Sequence, residues 1–167
     1  IVVCFYYNSK KIEILKKTIN EIYSYKFKIE LFLMTNKLSN LQKANIKRIL
    51  KKNKISKIIE INNLPDGNLL PWFSINLMRE KFKNKSYSHF MFLEDDLLVN
   101  QKNICYWIYF RKVLKKYNLV PGFLRYENYK KMIYVIDFPK EIELKKNPTI
   151  FSKNFNYVFI NLKYHYS

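Results

Sequence analysis

The sequence predicts an α/β protein with a mainly parallel central sheet and helices on both faces. Two observations carry that expectation. Short apolar runs rich in β-branched residues alternate along the chain with segments whose apolar residues recur at helical spacing. The resulting order (strand, helix, strand, helix, strand, helix, strand) is what parallel strands joined by crossover helices require. A length of 167 residues with 49% hydrophobic content is enough for one buried core, which excludes a disordered chain. No repeat, low-complexity linker or clear domain boundary interrupts the pattern, so residues 1–167 read as a single domain. The chain opens on Ile1 rather than Met, so the domain is expected to be incomplete at one or both ends.

Residues 1–7 are an apolar, β-branched run and predict a buried strand. Ile12, Leu15, Ile19 and Ile22 then fall on one face of a helix over residues 10–25. Residues 29–34 predict the second strand. Ser39 and Gln42 have the spacing of a capping box and open a helix carrying Leu41, Ile46, Ile49 and Leu50. Residues 55–61 predict a third strand, and Pro65, Asp66 and Gly67 mark a loop over 62–68. Pro71 suits a first helical turn, because its missing N–H has no intrahelical partner to lose there, and the helix should run to about Asn84. Residues 89–93 predict the fourth strand, which ends abruptly in Glu94, Asp95 and Asp96. A helix near 102–117 should bury Ile104, Trp107, Ile108, Leu114 and Tyr117 on one side. A turn at Pro121 and Gly122 leads to a strand over 123–126, and residues 132–136 and 157–162 read as two later strands. His89 is expected to be packed within its strand, and Trp72 and Trp107 to be core residues.

The formal charge of +18 comes from 31 basic and 13 acidic residues, which invites a nucleic-acid partner. Only Arg48, Arg79, Arg111 and Arg125 are arginine, however, and lysine is scattered along the whole chain. Asn, Ile, Tyr and Phe are abundant and alanine occurs once, so the lysine excess is read as compositional bias on solvated faces. On that reading Lys51, Lys52, Lys54 and Lys57 sit away from the acidic triplet, and arginine marks its mouth. Peripheral contact with an anionic membrane surface is the other reading of the charge. No apolar run approaches the roughly 20 residues of a membrane-spanning helix. Cys4 and Cys105 lie in apolar patterns and predict buried, reduced thiols, hence a cytoplasmic setting or the inner membrane face. No glycine-rich loop is present, which excludes a P-loop or a dinucleotide fingerprint.

The triplet is the most informative feature. Three adjacent carboxylates repel one another unless a cation compensates them. A hard divalent ion does so, and Mg²⁺ is commonly held by one or two carboxylates together with substrate phosphates. Ligands of doubly wound sheets bind outside the carboxyl ends of the strands, which is where the triplet falls.

The chain here resembles the GT-A class of nucleotide-sugar glycosyltransferases. The resemblance rests on a strand ending in a D-x-D-like triplet and on an ordered set of segments spanning about residues 1–165. These are Leu70-Pro71-Trp72-Phe73, then Phe92-Leu93-Glu94-Asp95-Asp96-Leu97, then Tyr106-Trp107 with Arg111, then Val120-Pro121-Gly122-Phe123-Leu124-Arg125-Tyr126-Glu127. The resemblance implies the Rossmann-like GT-A fold and transfer of a sugar from a nucleotide-sugar to a glycan, lipid-linked or protein acceptor. It implies Asp96 as ligand of a Mn²⁺ or Mg²⁺ ion, with Glu94 as a second ligand whose arm is longer than the family's aspartate. Glu94 and Asp95 would face the nucleotide-sugar, and Tyr6, Tyr7 and Asn8 would meet the base and ribose. Arg79 and Arg125 are the candidate cations for the diphosphate, since guanidinium pairs bidentately with phosphate. Glu127 is the candidate general base, although many such enzymes carry theirs late in the chain, where it could fall beyond Ser167. Two other functions remain open at this point: an inactive transferase-like binding or scaffold domain, and a metal-dependent nucleic-acid-binding protein.

Overall fold

The computed structural model describes residues 1–50, 56–84, 87–123, 126–129, 132–135, 149–152 and 155–158. The chain divides into two compact units, residues 1–120 and 121–167. The first unit holds four strands, β1 (Val2–Phe5), β2 (Leu31–Asn36), β3 (Ser56–Ile61) and β4 (Phe92–Glu94), and four α-helices, α1 (Ile12–Ser24), α2 (Asn40–Ile49), α3 (Leu70–Phe82) and α4 (Gln101–Leu114). The strands form one sheet in the order β3-β2-β1-β4, and every pairing is parallel.

Side-chain alternation along the strands builds two cores. Val3 and Phe5 of β1, Leu31 and Leu33 of β2, and Leu93 of β4 point to one face. There they pack against Leu15, Ile19 and Ile22 of α1 and Ile46 of α2. Val2, Cys4, Phe32 and Met34 point to the other face and meet Leu70, Leu77 and Met78 of α3. The α/β class with helices on both faces is thus as the pattern predicts. The Ser39 hydroxyl accepts from the Gln42 N–H, while the Gln42 side chain accepts from the Ser39 N–H at 2.8 Å, so the capping box forms.

Five expectations need correction. The fourth strand is only three residues long, Phe92–Glu94, so His89 lies ahead of it, exposed, with its ring beside the Ser88 hydroxyl at 3.0 Å. Only Leu93 of that strand is buried, because β4 lies at the border of the described sheet with one strand neighbour. Cys105 is exposed on α4, whose buried residues are Phe110 and Leu114; Tyr117 lies past the helix end and is exposed as well. Trp72 is 67% exposed, because α3 turns Leu70, Ser74, Leu77 and Met78 inward and Trp72 to the opposite side.

The second unit contains two antiparallel hairpins, β5 (Tyr126–Tyr129) with β6 (Met132–Val135) and β7 (Thr149–Ser152) with β8 (Phe155–Val158). Strand β7 has no counterpart in the sequence reading. Phe123 precedes the strand expected to begin with it, and residues 159–162 of the last expected strand lie outside the described residues.

No described helix is long and apolar enough to cross a membrane. The two-faced core makes a direct stability prediction. Leu33→Ala, at a fully buried position, should cost about 3 kcal/mol. Leu41→Ala, at a position 74% exposed, should change stability by no more than about 0.5 kcal/mol. Urea denaturation followed by tryptophan fluorescence checks both.

Candidate functional site

The strand order reverses between β1 and β4: the chain steps from β1 outward to β2 and β3, then returns to pair β4 on the free side of β1. In open α/β sheets, ligands bind in the crevice outside the carboxyl ends of the strands at such a reversal. Two segments border it. One is Tyr6, Tyr7 and Asn8 after β1; the other is Glu94, Asp95 and Asp96 at the end of β4. Cys4 of β1 lies in register with Glu94 of β4, so the segments begin level with each other.

Each segment is fixed by named bonds. The Tyr7 N–H donates to Asn36 Oδ1 at 2.7 Å, tying the exit of β1 to that of β2. Asn8 Oδ1 accepts from the Lys10 N–H at 2.9 Å and caps a 3₁₀ turn, Ser9–Lys11, that runs into α1. The Asn8 side chain expected to meet a ribose therefore already has a structural partner. Tyr6 is half-exposed, and its ring rests against the loop after β3: a Cβ on Gly67 would lie 2.9 Å from the ring. A side chain at that position would have to displace the ring.

The triplet lies in a turn, with the Leu97 N–H donating to the Glu94 carbonyl at 3.3 Å. The buried Thr18 hydroxyl of α1 donates to the Asp95 carbonyl at 2.8 Å and pins that turn to the helix. From there the chain runs along α1. The Tyr25 hydroxyl donates to the Val99 carbonyl, and the Lys26 N–H to Gln101 Oε1 at 2.9 Å. Helix α4 consequently starts beside the far end of α1, capped by Asn100, and its dipole does not act on the triplet.

The three acids have different surroundings. Glu94 and Asp96 are exposed, whereas Asp95 is only 8% exposed. Lys11 Nζ stands 3.9 Å from Asp95 Oδ2, and that oxygen is buried with no hydrogen-bond partner among the described residues. Burial raises the Asp95 carboxyl above its ordinary range; Lys11 opposes the rise, and Asp96 and Glu94 add to it. Burial, with help from Glu94 and Asp95, also pushes the Cys4 thiol up to about 12. That thiol stays protonated and faces the Leu70 carbonyl at 3.8 Å, which sets the start of α3 at this edge of the sheet.

The arrangement gathers Tyr6, Tyr7, Asn8, Glu94, Asp95 and Asp96 from the sequence reading at one edge. It does not gather Arg79. Helix α3 runs from Leu70, beside Cys4, to Leu77, Met78 and Lys81, which line a hollow with Ile1, Glu30 and Tyr87 at the amino ends of the strands. Arg79 belongs to that end. The hollow has a volume of about 20 Å³, room for about one water. Glu30 there is bonded by the Tyr87 hydroxyl and by Lys57 at 2.9 Å, so Lys57 is indeed far from the triplet. Lys51, Lys52 and Lys54 lie outside the described residues, as does Arg125. Glu127 lies on β5 in the second unit, in register with Tyr134.

The cation beside the triplet is a lysine, not the expected arginine. Lys11 and Thr18 were invisible as site residues because nothing in their local sequence distinguishes them. Only the pairing of β1 with β4 brings α1 against the triplet. Among the described residues no three His, Cys, Asp or Glu side chains converge as a ready-made metal cage. Glu94 and Asp96 are both exposed, on either side of the buried Asp95. No family model, curated protein or solved structure matches the chain.

Asp95 carries a pH prediction. A carboxyl raised on folding contributes stability that is complete below its unfolded value and is lost as pH rises through the folded one. At neutral pH the buried charge is therefore a cost. In chelator-containing buffer, Asp95→Asn should be more stable than the parent at pH 7 by about 1 kcal/mol. The gain should shrink as pH falls toward about 4. Denaturant titrations at the two pH values test this.

Proposed function

We propose that the chain is a metal-dependent glycosyltransferase of the GT-A kind, moving a sugar from a nucleotide-sugar donor to a glycan, lipid-linked or protein acceptor. The observation that carries the reading is the position of the acidic triplet and the end of β1 on the two sides of the strand-order reversal. That is where doubly wound sheets take nucleotide ligands.

Asp96 and Glu94 would hold a Mn²⁺ or Mg²⁺ ion, which supplies charge compensation for the leaving diphosphate. The other roles fall to the chain's own groups. Tyr6, backed by the Gly67 loop, would offer a ring face to the base. The Lys11 ammonium would bind a phosphate oxygen. Thr18 keeps the triplet in place by holding the Asp95 carbonyl. In an inverting transfer the acceptor oxygen bonds to the anomeric carbon as the bond to the diphosphate breaks. That transfer needs a base for the acceptor proton and a cation for the departing charge, the roles that the sequence reading gives to Glu127 and Arg125.

A donor-binding domain without catalysis is the second reading. One observation favours it: the groups at the crevice in the first unit are all donor-side groups, and Glu127 belongs to the second unit. A basic nucleic-acid protein has less support, since among the described residues Lys11 is the one cation paired with the triplet.

A thermal-shift screen of nucleotide-sugars with Mn²⁺ tests the reading. A matched donor at about 100 times its Kd should raise the melting temperature by about 5–8 °C. Asp96→Asn should lose the metal-dependent part of that shift while its unliganded melting temperature stays unchanged or rises. An Asp96→Asn protein that responds to donor and Mn²⁺ like the parent contradicts the assignment. Release of nucleoside diphosphate on adding acceptor separates a transferase from a binding domain.

A further inference from the structure

Helix α3 has two unlike faces. Leu70, Ser74, Leu77 and Met78 lie against the sheet. On the outer side, Trp72, Ile75, Arg79 and Phe82 follow one another at i, i+3, i+7 and i+10, so they form one stripe along the helix. Trp72 is 67% and Phe82 74% exposed, and Leu69 and Phe73 extend the apolar surface at the helix start. From Trp72 to Phe82 the stripe is about 15 Å long.

The charge on this face has one sign. Arg79 and Lys83 are exposed and form no ion pair among the described residues. The single acid nearby, Glu80, is paired with Lys81 at 3.0 Å. From residue 79 to residue 85 the sequence carries four bases and one acid, in a chain of net charge +18. Tryptophan and phenylalanine projecting among uncompensated cations are the chemistry of a helix lying in a lipid headgroup layer. A polyanion such as DNA would satisfy the cations and leave Ile75 and Phe82 in water. An acidic bilayer satisfies both sets of groups at once.

We propose that the outer face of α3 docks on an anionic lipid bilayer, with Trp72, Ile75 and Phe82 entering the headgroup layer and Arg79 and Lys83 meeting lipid phosphates. The proposal is independent of the transferase reading, because none of its contacts involves the triplet.

Vesicle sedimentation with the full chain tests it, using phosphatidylcholine vesicles with or without about 30 mol% phosphatidylglycerol. Binding is expected only to the anionic vesicles. Trp72→Ala/Phe82→Ala should weaken it by about tenfold or more. Arg79→Gln/Lys83→Gln should weaken it by about tenfold or more as well, and added salt should diminish the effect of that pair. Leu41→Ser, an equally exposed apolar position on α2, should bind like the parent. In a Trp107→Phe chain the remaining Trp72 should be quenched by brominated lipid. Equal binding to neutral vesicles, undiminished binding of Trp72→Ala/Phe82→Ala with an unchanged circular dichroism spectrum, or no binding at all would overturn the proposal. So would loss of a dimer, rather than of lipid binding, in the Trp72→Ala/Phe82→Ala chain. Tight binding of DNA through the same face, with none to vesicles, would also overturn it.

Discussion

The parallel pairing of β4 with β1 is the constraint on which the rest of the first unit depends. Val2, Val3 and Cys4 lie opposite Phe92, Leu93 and Glu94, and only Leu93 of the short strand is buried. Three residues of pairing are enough because the segments on either side are held by other means. The Val2 N–H donates to the Met91 carbonyl at 2.9 Å ahead of the strand, and Thr18 and Tyr25 hold the Asp95 and Val99 carbonyls beyond it. The pairing places the acidic turn beside the end of β1 and the start of α1. A shift of β4 by one residue would turn Leu93 out of the core and carry every acid to the wrong side.

That arrangement buries a carboxylate incompletely compensated. Asp95 Oδ2 has Lys11 as its nearest opposite charge, at 3.9 Å and without a hydrogen bond. Groups left in this state are found where a ligand or ion completes the environment more often than in an ordinary core. The positive end of α1 and the Lys11 ammonium therefore face two demands, the buried Asp95 charge and any anionic ligand in the crevice. Neutralising the exposed pair, Glu94 and Asp96, with a divalent ion would relieve the repulsion that all three acids share.

Periodicity made the first unit legible. The apolar runs of β1 and β2, the 3.6-residue spacing in α1, the Ser39 capping box and Pro71 each correspond to an element close to its expected bounds. The misreadings have a common cause: a local apolar pattern does not say which neighbour is available. Residues 89–91 resemble the strand they precede, but only Phe92, Leu93 and Glu94 pair with β1. Trp72 reads as core, but the inward face of α3 was already filled by Leu70, Ser74, Leu77 and Met78. At the site, Glu94, Asp95 and Asp96 stood out because three adjacent acids are rare in a basic chain. Lys11 and Thr18 come to the triplet from more than 70 residues away, as the 77-residue separation of the Thr18 bond shows, and no local pattern encodes that contact. Arg79 attracted attention for its chemistry, and the direction of α3 carries it to the other end of the sheet.

Together, the crevice and the outer face of α3 would define an enzyme that works at a lipid surface, which favours a lipid-linked acceptor among those the transferase reading allows. The central claim is narrower: the carboxyl ends of β1 and β4 form the ligand site, with Glu94 and Asp96 as its cation ligands. Paramagnetic broadening by Mn²⁺ in the ¹⁵N spectrum of the labelled protein, with uridine diphosphate present, tests it most directly. The account predicts early loss of the amide signals of residues 6–11 and 94–98, while those around Glu30 and Glu60 persist. Broadening centred on Glu30 or Glu60, or spread evenly over the surface, would contradict it.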